Sequence, residues 1–207
     1  MPFTLQFISK PTLTDEPPLV IEKILAFTAK EFIYASMTWN ETFMDLFSRC
    51  ASAYQAGKFD YETDYTSQDL EFLESIGYKK REFFDFIEDY VDEQTPSPTT
   101  ALLVAAVRRD YLLVAQEGKT SDKVLVKDDL PSFGEELEGI NYLPRILAKA
   151  RGKLRGELDP DIMFGCGGDR NFLSKNGEIP PADFLRNVWA AGDNDAKVAA
   201  WVKSCQK

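Results

Sequence analysis

The sequence predicts a mainly α protein with little or no β, a single compact helical domain arranged as two pseudo-repeated helical units around a central apolar helix. Three observations carry this expectation. Apolar residues recur at three- and four-residue spacing in one segment after another. Capping residues, prolines and glycines stand where those segments begin and end. Finally, the stretch Asp69–Phe84 is echoed one hundred residues later by Asp169–Phe184, with Asp, Phe, Leu, Gly and Phe at matching places.

Taken in order, residues 1–18 are rich in Pro and Thr and read as a tail, and residues 19–207 as the domain. Leu19 to Met37 keeps helical spacing. Asn40 can cap a helix over Glu41–Gln55, with Phe43, Leu46, Phe47 and Cys50 on one stripe and Gly57 as its stop. Cys50 therefore reads as core. Asp60, Glu62, Asp64 and Glu71 have the spacing of calcium-loop ligands, but Tyr65 stands where the sharp turn needs glycine, so an acidic loop is expected and no metal. Ser67 is expected to cap the next helix, which Gly77 ends. In Lys79–Val91 the acids Asp85, Glu88 and Asp89 read as a solvated face. Ser97-Pro98 opens the central helix, about 98–117, which is apolar nearly all round and so expected to be buried. Within it Arg108, Arg109 and Asp110 are candidates for a buried ion pair, because a buried guanidinium is costly alone. Residues 118–140 read as a loop with a short strand at Lys123–Lys127. Helices follow over Tyr142–Arg155, after Cys166, over Ala182–Ala190 and from Asp193 or Asn194 onward. The pseudo-repeats fall at about 39–93 and 139–192.

Charge and composition exclude several functions. The net charge of -10 comes wholly from residues 1–100, with 8 Lys+Arg against 18 Asp+Glu; the second half is balanced. That distribution disfavours nucleic acid and anionic membrane as partners. There is no histidine, which removes Ser-His-Asp and Cys-His catalysis and His-bound metal. Three scattered cysteines without a CxxC pattern suit reduced thiols rather than a disulfide framework or a zinc ribbon. The N-terminus lacks the pattern of a signal peptide and no apolar run is long enough to span a bilayer, so a cytoplasmic location is expected.

One stretch has the makings of a site. Phe164-Gly-Cys166-Gly167-Gly168-Asp169-Arg170 places a thiol and two glycines at the start of a helix. Upstream, Gly139–Gly156 holds five cations and no acid; its helix either snorkels its cations on an acidic surface or forms an anion site. Helix N-termini bind anions through free amides, which makes Gly167 and Gly168, with Arg145, Lys149 and Arg170 as nearby charge, the candidate ligand-binding residues. Asp169 opposes this, as a capping carboxylate competes for the same amides, and the echo at Asp69 gives it a structural job. A thiol at a helix N-terminus near cations can also be reactive, which makes Cys166 the candidate catalytic residue.

Three blocks resemble a known family: Gly139-Ile-Asn-Tyr-Leu-Pro-Arg145 through Arg151, then Cys166-x-x-Asp169-x-x-Phe172-Leu173, then Ala199-Ala-Trp201-Val-Lys203. They are similar to an uncharacterised bacterial family, the domain of unknown function 5069, in its Gly-x-x-x-Leu-Pro-Arg helix, Cys-Pro-Leu-Asp step and closing Trp-(Val/Ile)-Lys helix. The likeness covers roughly residues 98–207, with an extension over Phe72–Tyr90. This chain has Gly167-Gly168 where the family often has Pro-Leu. The resemblance implies architecture and brings no activity, cofactor or catalytic residue.

The favoured reading is a structural or protein-interaction role without cofactors, leaning away from an enzyme. The alternatives are binding of a small anion, a phosphate- or carboxylate-bearing metabolite, at Cys166-Gly167-Gly168, and a thiol-dependent enzyme or redox sensor using Cys166.

Overall fold

A computed structural model describes residues 37–206, so the expected tail and the Leu19–Met37 helix lie outside the described residues. The chain divides into two units, residues 1–42 and 43–207. Of the first, the described part is the turn that opens the first helix, where the backbone N–H and the hydroxyl of Thr38 both donate to Glu41. The second unit holds the core and nearly all of the helices.

Helical periodicity is realised as eight α-helices among the described residues: α1 Trp39–Gln55, α2 Ser67–Ser75, α3 Lys80–Glu93, α4 Pro98–Val114, α5 Leu143–Arg155, α6 Gly167–Lys175, α7 Pro181–Ala191 and α8 Asp195–Cys205. The only sheet among them is a two-residue antiparallel hairpin, β1 Glu136–Leu137 with β2 Ile140–Asn141. The protein is mainly α.

Local chemistry sets most boundaries. Ser97 accepts from the Thr100 amide, and Pro98 follows at the first helical position, as the sequence predicts. Asn194 caps α8 through the Lys197 amide. At α2 the cap is Thr66, one residue before the expected Ser67, because Thr66 and Asp69 close a capping box around each other's amides.

The core has two aromatic-rich regions. Phe43 and Phe47 of α1 meet Phe83 of α3 edge-on, with centroids 5.1 and 6.0 Å apart. Around α5, Leu143, Ile146, Leu147 and Ala150 are buried together with Phe184 and Leu185 of α7 and Val198 and Val202 of α8. The helix α4 packs on α3, α5 and α7. It is not buried all round, however: Leu103, Leu113 and Val114 are exposed, and its buried residues are Ala101, Val104, Ala105, Val107, Arg108 and Leu112. Apolar content exceeds apolar burial there.

The acidic face expected on α3 is also corrected. Asp85 is buried against Arg81 of the same helix, and Glu82 is buried against Lys153 of α5, 2.6 Å away. Lys153 lies 3.6 Å over the ring of Tyr78, and burial pulls its amine down to about 8 against the opposing pull of Glu82. Cations and acids that look solvated in sequence are therefore partly the interior glue between α3 and α5.

Arg108 is buried, but its guanidinium is held by neutral groups, donating to the carbonyls of Gly77 and Leu154 and to Gln116. Burial lowers its affinity for the proton, with Glu82 opposing. It fits between two backbone turns because Gly77 and Gly156 both have positive φ and lack a Cβ that would lie 2.7 and 2.6 Å from the guanidinium. Arg109 is half-buried and lies 3.5 Å from exposed Asp110.

Candidate functional site

The helix α6 begins at Gly167, with Cys166 in its cap position and no side chain capping its first amides. Facing it is α5, whose buried stripe carries Lys149. The Lys149 ammonium lies 2.6 Å from the Asp169 carboxylate and donates to the Cys166 sulfur at 3.2 Å. Asp169 is wholly buried, and its other contacts are the Gly165 amide and the Tyr142 hydroxyl, both 2.8 Å away. Lys149 is also buried, so its charge is held in one place rather than free in solvent.

Tyr142 completes the cluster from the turn before α5, where its φ is 72°. Burial, reinforced by the neighbouring Asp169, makes its hydroxyl a weaker acid than an ordinary tyrosine, so it serves Asp169 as a donor. Phe133 stacks on Tyr142, and the Arg145 guanidinium lies 4.1 Å over Phe133.

Of the candidate ligand residues, the structure brings together Lys149, Cys166, Gly167 and Gly168. Arg145 instead donates to the Pro131 carbonyl, and Arg170 turns to Asp89 and Glu93 of α3 and to the Gly165 carbonyl. Both arginines are engaged elsewhere, Arg145 with the loop before α5 and Arg170 with α3. A Cβ on Gly168 would lie 3.3 Å from the Tyr142 oxygen and 3.9 Å from the Cys166 sulfur, so glycine keeps a side chain out of the space beside half-buried Cys166. A groove of about 670 Å³ runs past Gly168 between Phe133, Tyr142, Phe172 and Lys175, but neither Cys166 nor Lys149 lines it.

The same offset of one hundred residues reappears in the geometry of α2 and α6. Both helices have nine residues, and both carry aspartate at the third position. Each aspartate pairs at 2.6 Å with a cation from the preceding helix, Arg49 of α1 for Asp69 and Lys149 of α5 for Asp169. The cap positions differ. Thr66 accepts from the Asp69 amide, whereas Cys166 makes no cap bond and meets the lysine instead.

This cluster lies in one recognisable segment. Residues 127–207 match the DUF5069 family, a domain of unknown function. The DUF5069 segment includes Tyr142, Lys149, Cys166 and Asp169, so the cluster is assembled within it. Neither a curated protein nor a solved structure matches the chain. Within the DUF5069 segment, Tyr142 and the direct Lys149–Asp169 pair escape sequence reasoning, as both depend on how α5 meets the α6 turn. One signal was available: Arg49 and Lys149 stand at equal distances before Asp69 and Asp169. No group of three or more metal-ligating side chains is assembled among the described residues, and no helix among them is long and apolar enough to cross a membrane.

Proposed function

We propose that the α5–α6 junction is a reactive-thiol site in which Cys166 is the reacting group, and that the protein acts as a redox-responsive sensor. The observation that carries this is the contact between a buried, anchored ammonium and the sulfur at 3.2 Å. The Lys149 ammonium, held in place by Asp169, donates to the sulfur, and the amides of the helix N-terminus lie beside it, an arrangement of the kind found around reacting thiols. Sensing is favoured over substrate turnover because the neighbouring groove is not lined by the thiol, whereas a water-sized oxidant needs no groove. A reducing, cytoplasmic setting suits a thiol of this kind.

The test is alkylation of the native protein by iodoacetamide, with the modified cysteines mapped by mass spectrometry. Cys166 is expected to react first, and Lys149→Met to slow it several-fold. Cys50 is the internal control, since burial pushes its thiol up to about 12. Labelling of Cys166 no faster than that of Cys205 sinks the proposal.

A protein-interaction role has one specific support, the exposed apolar residues Leu103, Leu113 and Val114 on α4. It makes no use of the thiol, so the labelling experiment separates the two readings. Anion binding at Gly167-Gly168 has less support, because Arg145 and Arg170 are engaged elsewhere and Lys149 already faces Asp169.

A further inference from the structure

Oxidation of a cysteine is reversible for as long as the sulfenic acid is trapped before a second oxidation. Here a trapping group is already in place. The Lys149 nitrogen is 3.2 Å from the sulfur, is buried, and is kept from swinging into solvent by Asp169. Cys50, by contrast, lies in the apolar stripe of α1, away from solvent-borne oxidants.

We infer that Cys166 and Lys149 form a reversible covalent sulfur–nitrogen bond when the protein meets hydrogen peroxide, a modification that rests on Cys166 being the reactive thiol proposed above. In the first step peroxide oxidises the thiol: the S–H and O–O bonds break, an S–O bond forms, and one water leaves. In the second, the Lys149 ammonium first gives up a proton to solvent, and the lone pair this frees attacks the sulfur. The S–N bond forms, the S–O bond breaks, and the departing hydroxide takes one of the two remaining N–H protons to become the second water. Sulfur has then lost two electrons and peroxide has become two waters. A small thiol reverses the link: its sulfur displaces the amine, forming a mixed disulfide that a second thiol reduces.

The product explains how a chemical event at the sulfur would reach the fold. Once bonded to sulfur, the nitrogen no longer carries a positive charge, and wholly buried Asp169 is left with only the Tyr142 hydroxyl and the Gly165 amide. The pair that ties α6 to α5 is thus removed by the oxidation itself.

The experiment is intact-mass and peptide mapping of the full chain after titration with hydrogen peroxide, without reductant. The expected result is the loss of two hydrogens, a cross-linked peptide joining Lys149 to Cys166, and full reversal by dithiothreitol. Lys149→Arg keeps a cation beside Asp169 but supplies no nucleophilic amine, so it should gain oxygen atoms on Cys166 with no cross-link. Wild-type protein that gains oxygen on Cys166 without ever losing two hydrogens overturns the link and leaves the reactive thiol standing. A Cys166 that neither oxidises nor alkylates overturns both.

Discussion

Removing the ammonium from beside Asp169 is the most informative single perturbation of this fold. The two aspartate–cation pairs have equal lengths, 2.6 Å, yet their surroundings differ: the Arg49 side chain is 41% exposed, and that of Lys149 only 6%. Breaking a buried pair on one side costs about 3–5 kcal/mol, because the remaining charge stays desolvated. Asp169 would keep its bonds from Tyr142 and Gly165, which places Lys149→Met at the lower end, about 3 kcal/mol. Methionine preserves the aliphatic volume, so little of this is a cavity effect. For a domain of this size the loss corresponds to a fall of about 6–12 °C in Tm. Arg49→Met should cost less, about 1–2 kcal/mol, because water can fill the place of the half-exposed guanidinium beside Asp69, which also keeps the bond from the Thr66 amide. Asp169→Asn in the Lys149→Met background should recover most of the loss by removing the stranded charge. Urea unfolding followed by far-UV circular dichroism, with thermal melts, measures all four proteins. Equal losses for Lys149→Met and Arg49→Met, or no recovery in the double variant, would refute the reasoning.

Two further outcomes are expected. Gly156→Ala meets both a left-handed backbone and the Arg108 guanidinium and should cost about 2 kcal/mol or more, whereas Gly57→Ala, also left-handed but with nothing within 4 Å, should cost only about 1 kcal/mol; equal costs in chemical denaturation would show that the guanidinium gives way freely. Asp85 lies 2.8 Å from Arg81, yet burial outweighs that cation and pushes its carboxyl up to about 7. Because this lies above the unfolded-state value, the native state holds the proton more tightly, and the stability this contributes is lost as pH rises from about 4 toward 7; Asp85→Asn should flatten that part of the stability curve, and a difference from wild type that is constant from about pH 4 to 8 would count against a raised carboxyl.

The helices were legible because their signals are local. Ser97-Pro98, Gly77 and Asn194 stop or start helices through bonds to amides and carbonyls within a few residues of themselves. The error at Ser67 is one residue, since Thr66 and Ser67 are equally good caps in sequence and only the bond that the Thr66 amide gives in return to the Asp69 carboxylate decides between them. The site was legible in part. Lys149, Cys166 and the glycines stand out together in the sequence, but so do Arg145 and Arg170, and nothing in the sequence says that Pro131 and the α3 acids claim those two. The burial of Glu82 and Lys153 was hidden for the same reason: the partners are 71 residues apart, and each alone looks like solvated surface.

The difference between the two caps bears on why a thiol stands at position 166. At α2 the oxygen of Thr66 accepts from the Asp69 amide and Asp69 accepts from Thr66 in return, a closed local unit that stabilises the helix start. At α6 sulfur, a weak acceptor, occupies the same place, and the aspartate reaches past it to the Gly165 amide. The helix start thus forgoes a cap that threonine or serine would supply, a loss of roughly 1 kcal/mol. A lysine has also been buried to face both the carboxylate and the sulfur, where the first pair has an arginine reaching in from the surface. Each departs from the arrangement that the Thr66–Asp69 helix start follows. Departures of this kind concentrate at functional positions, and both of these converge on the sulfur of Cys166.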